Sequence, residues 1–378
     1  MKTIHDINID NKNVIIRFDY NVPISDGKIL DDTRIVKSLK TLNYVLKRAN
    51  KVIILSHLGR IKEKEDVIKN TLKPVCDYLS KLINENIAFC DYKNEKEIIK
   101  NNRIIMMENT RIFDLDNKKE SSCDIELSKY FASFGDVFIN DAFGVSHREN
   151  ASNVGISKFL PSANGFLIEE EINNLNKIVD SPSRPFVTIM GGAKVSDKIK
   201  IIENLLPKVD KLLIGGALSY TFLKAKGYNV GLSLVEDDYI NYAKELLSKY
   251  EDKILLIQDN YVSVDNNKKL VDINDMKDNY IGYDIGNKTV KIFEDELKCA
   301  KTIFFNGALG MFENDYEYGT KEIIKYLNTL DSLIVIGGGD TINAVNKYLD
   351  KNNFVISTGG GASLTYLEGK KLPGIVEE

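Results

Sequence analysis

Eight arginines lie in the first half of this 378-residue chain, at 17, 34, 48, 60, 103, 111, 148 and 184, and every other Lys/Arg side chain is a lysine. In so lysine-rich a sequence, an arginine is the residue expected to hold a carboxylate or phosphate with a planar fork. Arg17 and Asp19 stand in RFDYNVP at 17–23, with Asn21 in the turn that follows. Alone, that pair reads as an internal ion bridge. Asp31-Asp32-Thr33-Arg34 opens a helix, and alone reads as an N-cap with Arg34 exposed. SHLGR at 56–60 places His57 and Arg60 either side of a glycine, Glu108-Asn109-Thr110-Arg111 supplies Arg111, and DAFGVSHR at 141–148 supplies Arg148. Arg34, Arg60, Arg111 and Arg148 thus follow strand ends or open a helix, and a clamp for a polyanion accounts for four such placements better than chance does. Arg48 and Arg103 read as solvated ends of elements.

Glycine runs the other way: six of 25 precede residue 185 and 19 follow it, many in pairs or triplets that let a ligand approach the backbone. GGAKVSDK at 191–198 carries Lys194 and Lys198, four residues apart and expected on one helix face. Gly215-Gly216, Gly337-Gly338-Gly339-Asp340-Thr341 and Gly359-Gly360-Gly361 repeat a strand–glycine–helix plan, though each alone also reads as a packing turn. NGALGMFE at 306–313 adds Gly307 and a carboxylate, Glu313, suited to ribose hydroxyls, or simply an exposed loop glutamate. The common nucleotide fingerprints are absent. There is no Walker loop, Ile342 breaks the dinucleotide glycine pattern, and the H-R-D and D-F-G motifs of protein kinases are missing.

These residues need a framework that brings strand ends together. Short β-branched runs at 14–19, 52–56, 87–90, 104–107 and 137–140 alternate with helical patterns such as 35–49 and 72–82. The scheme recurs at 186–190, 211–214, 254–258, 302–306, 332–336 and 354–357. Such alternation predicts two parallel α/β sheets, with ligands at the carboxyl ends of the strands. Helical spacing of Leu167, Ile168, Ile172, Leu175 and Ile178 makes the connector a helix. The chain is long enough for two or three domains of ~150 residues. Its net charge of -4 disfavours a general nucleic-acid binder. No apolar run of membrane-spanning length and no signal peptide is visible, and Cys76, Cys90, Cys123 and Cys299 are scattered, which fits reduced thiols in the cytoplasm. From the residues alone the expectation is phosphoryl transfer between an arginine-rich anion site and a glycine-rich nucleotide site.

In order along nearly the whole chain, RFDYNVP, SHLGR, DAFGVSHR, GGAKVSDK, GGGDT and STGGGAS (357–363) resemble the segments of the phosphoglycerate kinase family. The resemblance implies two Rossmann-like α/β domains joined by a hinge helix, with phosphoryl transfer between 1,3-bisphosphoglycerate and ADP to give 3-phosphoglycerate and ATP in glycolysis. It implies a 3-phosphoglycerate domain at 1–162, a helix and linker at 163–182, a nucleotide domain at 183–362 and a tail at 363–378 returning to the first domain. Carried over residue by residue, the acid substrate maps onto Asp19, Asn21, Arg34, His57, Arg60, Arg111 and Arg148. The nucleotide maps onto Lys198, Gly307, Glu313, Gly337, Gly338, Gly339, Asp340 and Thr341, with Asp340 holding Mg2+. Arg34, Lys194 and Gly360 face the group in flight. Ile61, Ala308 and Thr365-Tyr366 depart from the family pattern, and the tail is short. The resemblance also implies a monomer with small-molecule partners and neither nucleic acid nor membrane. A ligand-binding protein of the same fold without turnover is the alternative. A nicotinamide-dependent dehydrogenase would share the fold class only.

Overall fold

The first sheet is built around the strand Asn13–Arg17, whose side chains alternate between two apolar layers. Val14 and Ile16 join Phe18, Val52, Ile54, Met106 and Ile139 on one face, whereas Ile15 joins Ile53, Leu55, Ile105, Met107 and Phe138 on the other. Both faces are apolar because helices cover a parallel sheet on both sides. The computed structural model describes residues 1–349, 354–357 and 359–377. Six parallel strands run in the order Ala88–Cys90, Ile104–Met107, Lys51–Leu55, Asn13–Arg17, Val137–Asn140 and Ser162–Asn164. The helix Thr33–Leu46 packs with Ile35, Ser38, Leu42 and Val45 buried, at the spacing of one helical face.

A second sheet repeats the plan, in the order Ile254–Leu256, Lys211–Ile214, Phe186–Met190, Thr302–Asn306, Leu333–Gly337 and Phe354–Ile356, again all parallel. The chain therefore has two parallel-sheet α/β domains. Two features lack a counterpart in the sequence reading: the edge strand Ser162–Asn164, expected as linker, and a small antiparallel sheet of Asp259–Val264, Asn267–Asp272 and Ile281–Ile285. The hairpin of this sheet turns through Asp265 and Asn266, both at positive φ (48° and 62°). Its apolar layer is Val262, Val271, Met276 and Tyr280, and several of its other buried positions, Asp259, Asn260 and Asp284, are polar, so no strong apolar pattern arises.

Contacts divide the chain into Met1–Asn173 with Lys371–Glu378, and Asn174–Lys370. The first division falls inside the helix Phe166–Val179. The second falls after residue 370, later than the expected 362. The helix Gly361–Leu367 belongs to the second unit, where Asn204 Nδ2 donates to Leu367 O at 2.7 Å. The returning tail is thus shorter than 363–378, and it is tightly held. Gly374 N donates to Ser146 O at 2.8 Å, and Asn140 Nδ2 donates to Gly374 O at 2.6 Å. Asn164 exchanges two bonds with Val376, at 2.8 and 3.0 Å.

Asp141, at the exit of the strand Val137–Asn140, caps the helix Phe166–Val179. Its Oδ1 accepts from Leu167 N at 2.9 Å and Ile168 N at 3.2 Å. Gly165 is required beside it, since a Cβ there would meet Oδ1 at 2.4 Å. Burial pushes the Asp141 carboxyl up to about 7, whereas an unfolded aspartate titrates near ~4. Between those values the folded chain binds the extra proton, so stability falls as pH rises from ~4 to ~7 and levels off above. Urea unfolding of Asp141→Asn should show this fall reduced, by on the order of 1 kcal/mol or more. An identical pH dependence in the variant and the parent would refute the assignment.

Candidate active site

Strand register decides where the polar residues gather. Arg17 lies level with Leu55 on one side and Asn140 on the other, so Phe18-Asp19, Ser56-His57 and Asp141 leave the sheet side by side. Ser56 ties two of these exits, donating to Phe18 O and accepting from Tyr20 N, each at 2.9 Å. Asp19 accepts from Arg34 Nη1 at 2.5 Å and from Asn21 N at 3.2 Å. Asn21 Oδ1 in turn accepts from Gly59 N at 2.8 Å, fixing the turn that carries Arg60. Burial opposes ionisation of Asp19, but Arg34 and then Arg17 help outweigh it and hold the carboxyl below its ordinary value.

The expected Arg17–Asp19 bridge is replaced by Arg34–Asp19. The strand ends at Arg17, and its buried guanidinium turns elsewhere. Its Nε donates to Ser152 Oγ at 2.9 Å, Nη1 donates to Phe18 O, and Nη2 lies 3.3 Å from His57 Nδ1. Behind Ser152 sits Glu120, 1% exposed, accepting from Thr110 Oγ1 and Ser152 N at 3.0 Å each and from Ser152 Oγ. Sequence reasoning missed Glu120 and Ser152. They come from irregular segments with no periodic pattern, and the only signal was a carboxylate surplus after Arg111.

Arg111 donates to Gly59 O and is held by Asn109, whose Oδ1 accepts from Arg111 N at 3.1 Å and whose Nδ2 donates to Leu58 O at 2.6 Å. Its guanidinium is pushed down by burial and then by neighbouring Arg148, with Arg60 adding to the effect. Arg148 Nε donates to His147 Nε2 at 3.1 Å. Among the described residues no ion pair neutralises Arg60, Arg111 or Arg148. Burial pushes His57 well below its usual range, and Arg17, Arg111 and Arg34 push the same way against Asp19. The structure therefore brings together Asp19, Asn21, Arg34, His57, Arg60, Arg111 and Arg148, with an excess of positive charge that suits an anion of several charges.

In the second unit, Met190, Asn306 and Gly337 lie level across neighbouring strands. Asn306 Nδ2 donates to Gly337 O at 2.7 Å, and its Oδ1 accepts from Lys198 Nζ. Gly307 N donates to Thr341 Oγ1 at 2.7 Å. Gly191 N and Gly192 N donate to Asn306 O and Ala308 O, at 2.8 and 2.9 Å. Ala308, one of the departures, is therefore pinned through its backbone. Asn306 is a further residue that sequence reasoning left out, although a buried polar side chain at a strand end was its signal. Lys194 and Lys198 do not share a helix face. The helix begins only at Ile199, with Lys198 as N-cap and Lys194 exposed in the preceding loop. Glu236 holds the loop ahead of that helix, accepting from Ser196 N at 3.1 Å and Ser196 Oγ at 2.6 Å. Gly338, at φ 92°, caps the helix Gly339–Val345, and Gly360, at φ 48°, caps Gly361–Leu367. Glu313 falls in the turn Phe312–Asn314 and Asp340 in the helix after Gly338, but the side chains of Glu313 and Asp340 lie outside the described residues, as does Thr358.

Two parallel α/β domains, one presenting converging guanidiniums and the other glycine turns around a lysine, define a two-domain phosphotransferase. The phosphoglycerate kinase family model matches residues 4–370. The phosphoglycerate kinase of Lacticaseibacillus casei is 50% identical over 386 residues, covering 98% of this chain and 97% of that one. The enzyme of Fusobacterium nucleatum is 47% identical, covering 99% and 98%. The solved phosphoglycerate kinase of Coxiella burnetii superposes with a TM-score of 0.87 at 34% identity, covering 99% of this chain and 97% of that one. The chain belongs to the phosphoglycerate kinase family.

Two glycines test the backbone packing of the second site. Gly27 (φ 72°) has open space where a Cβ would stand, whereas a Cβ on Gly307 (φ 92°) would meet Gly191 O at 2.1 Å. Gly27→Ala should lose only the ~1–2 kcal/mol of left-handed backbone. Gly307→Ala should lose clearly more and weaken nucleotide binding. Equal losses in chemical denaturation would contradict this packing.

Proposed function

We propose that this chain catalyses reversible, magnesium-dependent phosphoryl transfer from 1,3-bisphosphoglycerate to ADP, giving 3-phosphoglycerate and ATP. The observation that carries the reading is the cluster of Arg60, Arg111 and Arg148, which among the described residues have no carboxylate in an ion pair, beside the level strand ends of the first unit. In this reading Arg60, Arg111 and Arg148 neutralise the acid substrate's charges. Asp19 holds Arg34 in place, and Asn21 and His57 hydrogen-bond the substrate's oxygens. In the second unit Lys198 meets the nucleotide phosphates, the backbone of Gly307, Gly337, Gly338 and Gly339 and the side chain of Thr341 line their path, and Glu313 takes the ribose. Family membership supports both assignments.

The donor set suits magnesium. Asp340 is a single carboxylate just after a glycine turn, and Mg2+ is usually held by one or two carboxylates together with phosphate oxygens. When bound, the ion neutralises charge on the phosphates. Transfer of a phosphoryl group needs positioning and charge stabilisation more than covalent help. Arg34, Lys194 and the Gly360 amide supply donors for its equatorial oxygens. We further assign the chain to the cytoplasm as a monomer acting on small molecules, not on nucleic acid or membranes. Among the described residues no helix is long and apolar enough to cross a membrane.

A coupled assay for ATP from ADP and 1,3-bisphosphoglycerate tests the activity, and ligand binding without turnover would favour the silent alternative. The lysine roles separate kinetically. Lys194→Ala should lower kcat by on the order of 10²–10³ with nucleotide KM little changed, whereas Lys198→Ala should raise nucleotide KM. Were Lys194→Ala to raise KM and spare kcat, Lys194 would be a ground-state binding residue. Calorimetry on Arg60→Ala or Arg148→Ala should show weakened 3-phosphoglycerate binding with ADP affinity nearly unchanged.

A further inference from the structure

His57 is 3% exposed, yet two charged groups compete for its Nδ1. Arg17 Nη2 lies 3.3 Å away, and Asp19 Oδ1 lies 3.9 Å away. Only the first distance is within hydrogen-bonding reach. A guanidinium has donors and no acceptor, so the Nδ1 it meets must carry a lone pair. A proton on Nδ1 would set two N–H groups against each other in a buried site. We infer that Arg17 is a positioning residue that fixes His57 as the neutral tautomer protonated on Nε2.

Arg17 is itself prevented from turning away. Ser152 Oγ lies within hydrogen-bond reach of both Glu120 and Arg17, and because Arg17 Nε can only donate, the hydroxyl accepts from it and donates its own hydrogen bond to Glu120. The Phe18 carbonyl fixes Nη1, so Nη2 is the arm left for the ring. The charged groups facing His57 are Asp19, Arg17, Arg111 and Arg34, of which Asp19 alone favours a charged ring. Under the function proposed above, on which this inference rests, His57 then meets the acid substrate as an Nε2–H donor and adds no cation to the cluster. Its contribution stays constant across the pH range in which an ordinary histidine titrates.

The test is long-range 1H–15N spectroscopy of the imidazole nitrogens in the full-length, ligand-free protein. The chain has three histidines, so His57 is assigned by its loss in His57→Gln. The expected spectrum shows unprotonated Nδ1 and protonated Nε2, unchanged from about pH 5.5 to pH 8, the span in which a free ring titrates. An Nδ1–H signal, or a ring that titrates like a free histidine, overturns the inference whatever any variant does. In Arg17→Met the ring should populate both tautomers and titrate upward towards Asp19, and a folded variant with an unaltered His57 spectrum also overturns it. Arg17→Lys should lower kcat/KM for the acid substrate roughly tenfold, the worth of one charge-related hydrogen bond. It should also add a pH limb absent from the parent and leave nucleotide KM unchanged. Failure to form ATP with the Nε2–H spectrum intact would count against the proposed activity alone. ATP formation with a charged or Nδ1–H His57 would count against this inference alone.

Discussion

Everything at the first site follows from a register. The strand Asn13–Arg17 runs parallel to both neighbours, and its last residue lies level with Leu55 and Asn140. Parallel strands leave a sheet on the same side, so three consecutive exits deliver Asp19, His57 and Asp141 to one edge without any of them being near in sequence. A slip of one residue in this pairing would exchange the inward and outward faces of the central strand. The apolar layers containing Ile15 and Ile16 forbid that slip. The core thus sets the position of the charges, and the charges did not have to find one another.

Once there, the charges are organised by burial. Asp19 and Glu120 are the carboxylates that the first site keeps, and each is spent on one arginine region: Asp19 on Arg34, Glu120 behind Arg17. The remaining guanidiniums repel one another and are held apart by backbone and amide contacts, such as those of Arg111 with Gly59 and Asn109. A site of this kind is preorganised for a ligand of opposite charge, because donors are already oriented before it arrives. The second unit solves its problem differently. There the side chains are few and the backbones close, with Gly191 against Gly307, and Gly216 against Gly192 and Ala308, nearer than any Cβ would permit.

The alternation of strands and helices was legible because apolar periodicity is a local property, and the strands of both parallel sheets fall within a few residues of their expected places, except the three-residue edge strand Ser162–Asn164, which is too short and too polar to show a pattern. The arginines at strand ends were legible for the same reason. Partner choice was not. Arg17 and Asp19 are neighbours in sequence, but whether they pair depends on Arg34 arriving from a helix start and Glu120 from an irregular segment. The helix expected to carry Lys194 begins five residues later, and the loop before it is tied at Ser196 by Glu236 from forty residues away. Contacts between distant segments leave no periodic trace, and the antiparallel sheet at Asp259–Ile285 escaped notice because several of its buried positions, Asp259, Asn260 and Asp284, are polar.

Asn140 and Asn164, both buried in the first unit, complete their hydrogen bonding only with Gly374 and Val376. The whole second unit is therefore an insertion within the first. On a ribosome, the strands carrying these asparagines emerge some two hundred residues before the segment that satisfies them. During that interval the amides must be satisfied by water or by transient partners. The second unit is contiguous in sequence and has every strand of its sheet to hand once it has emerged. Synthesis from the amino end would thus let the later unit finish folding before the earlier one is complete, and a chain that stopped short of residue 371 would leave its first unit, not its second, with unfilled bonds.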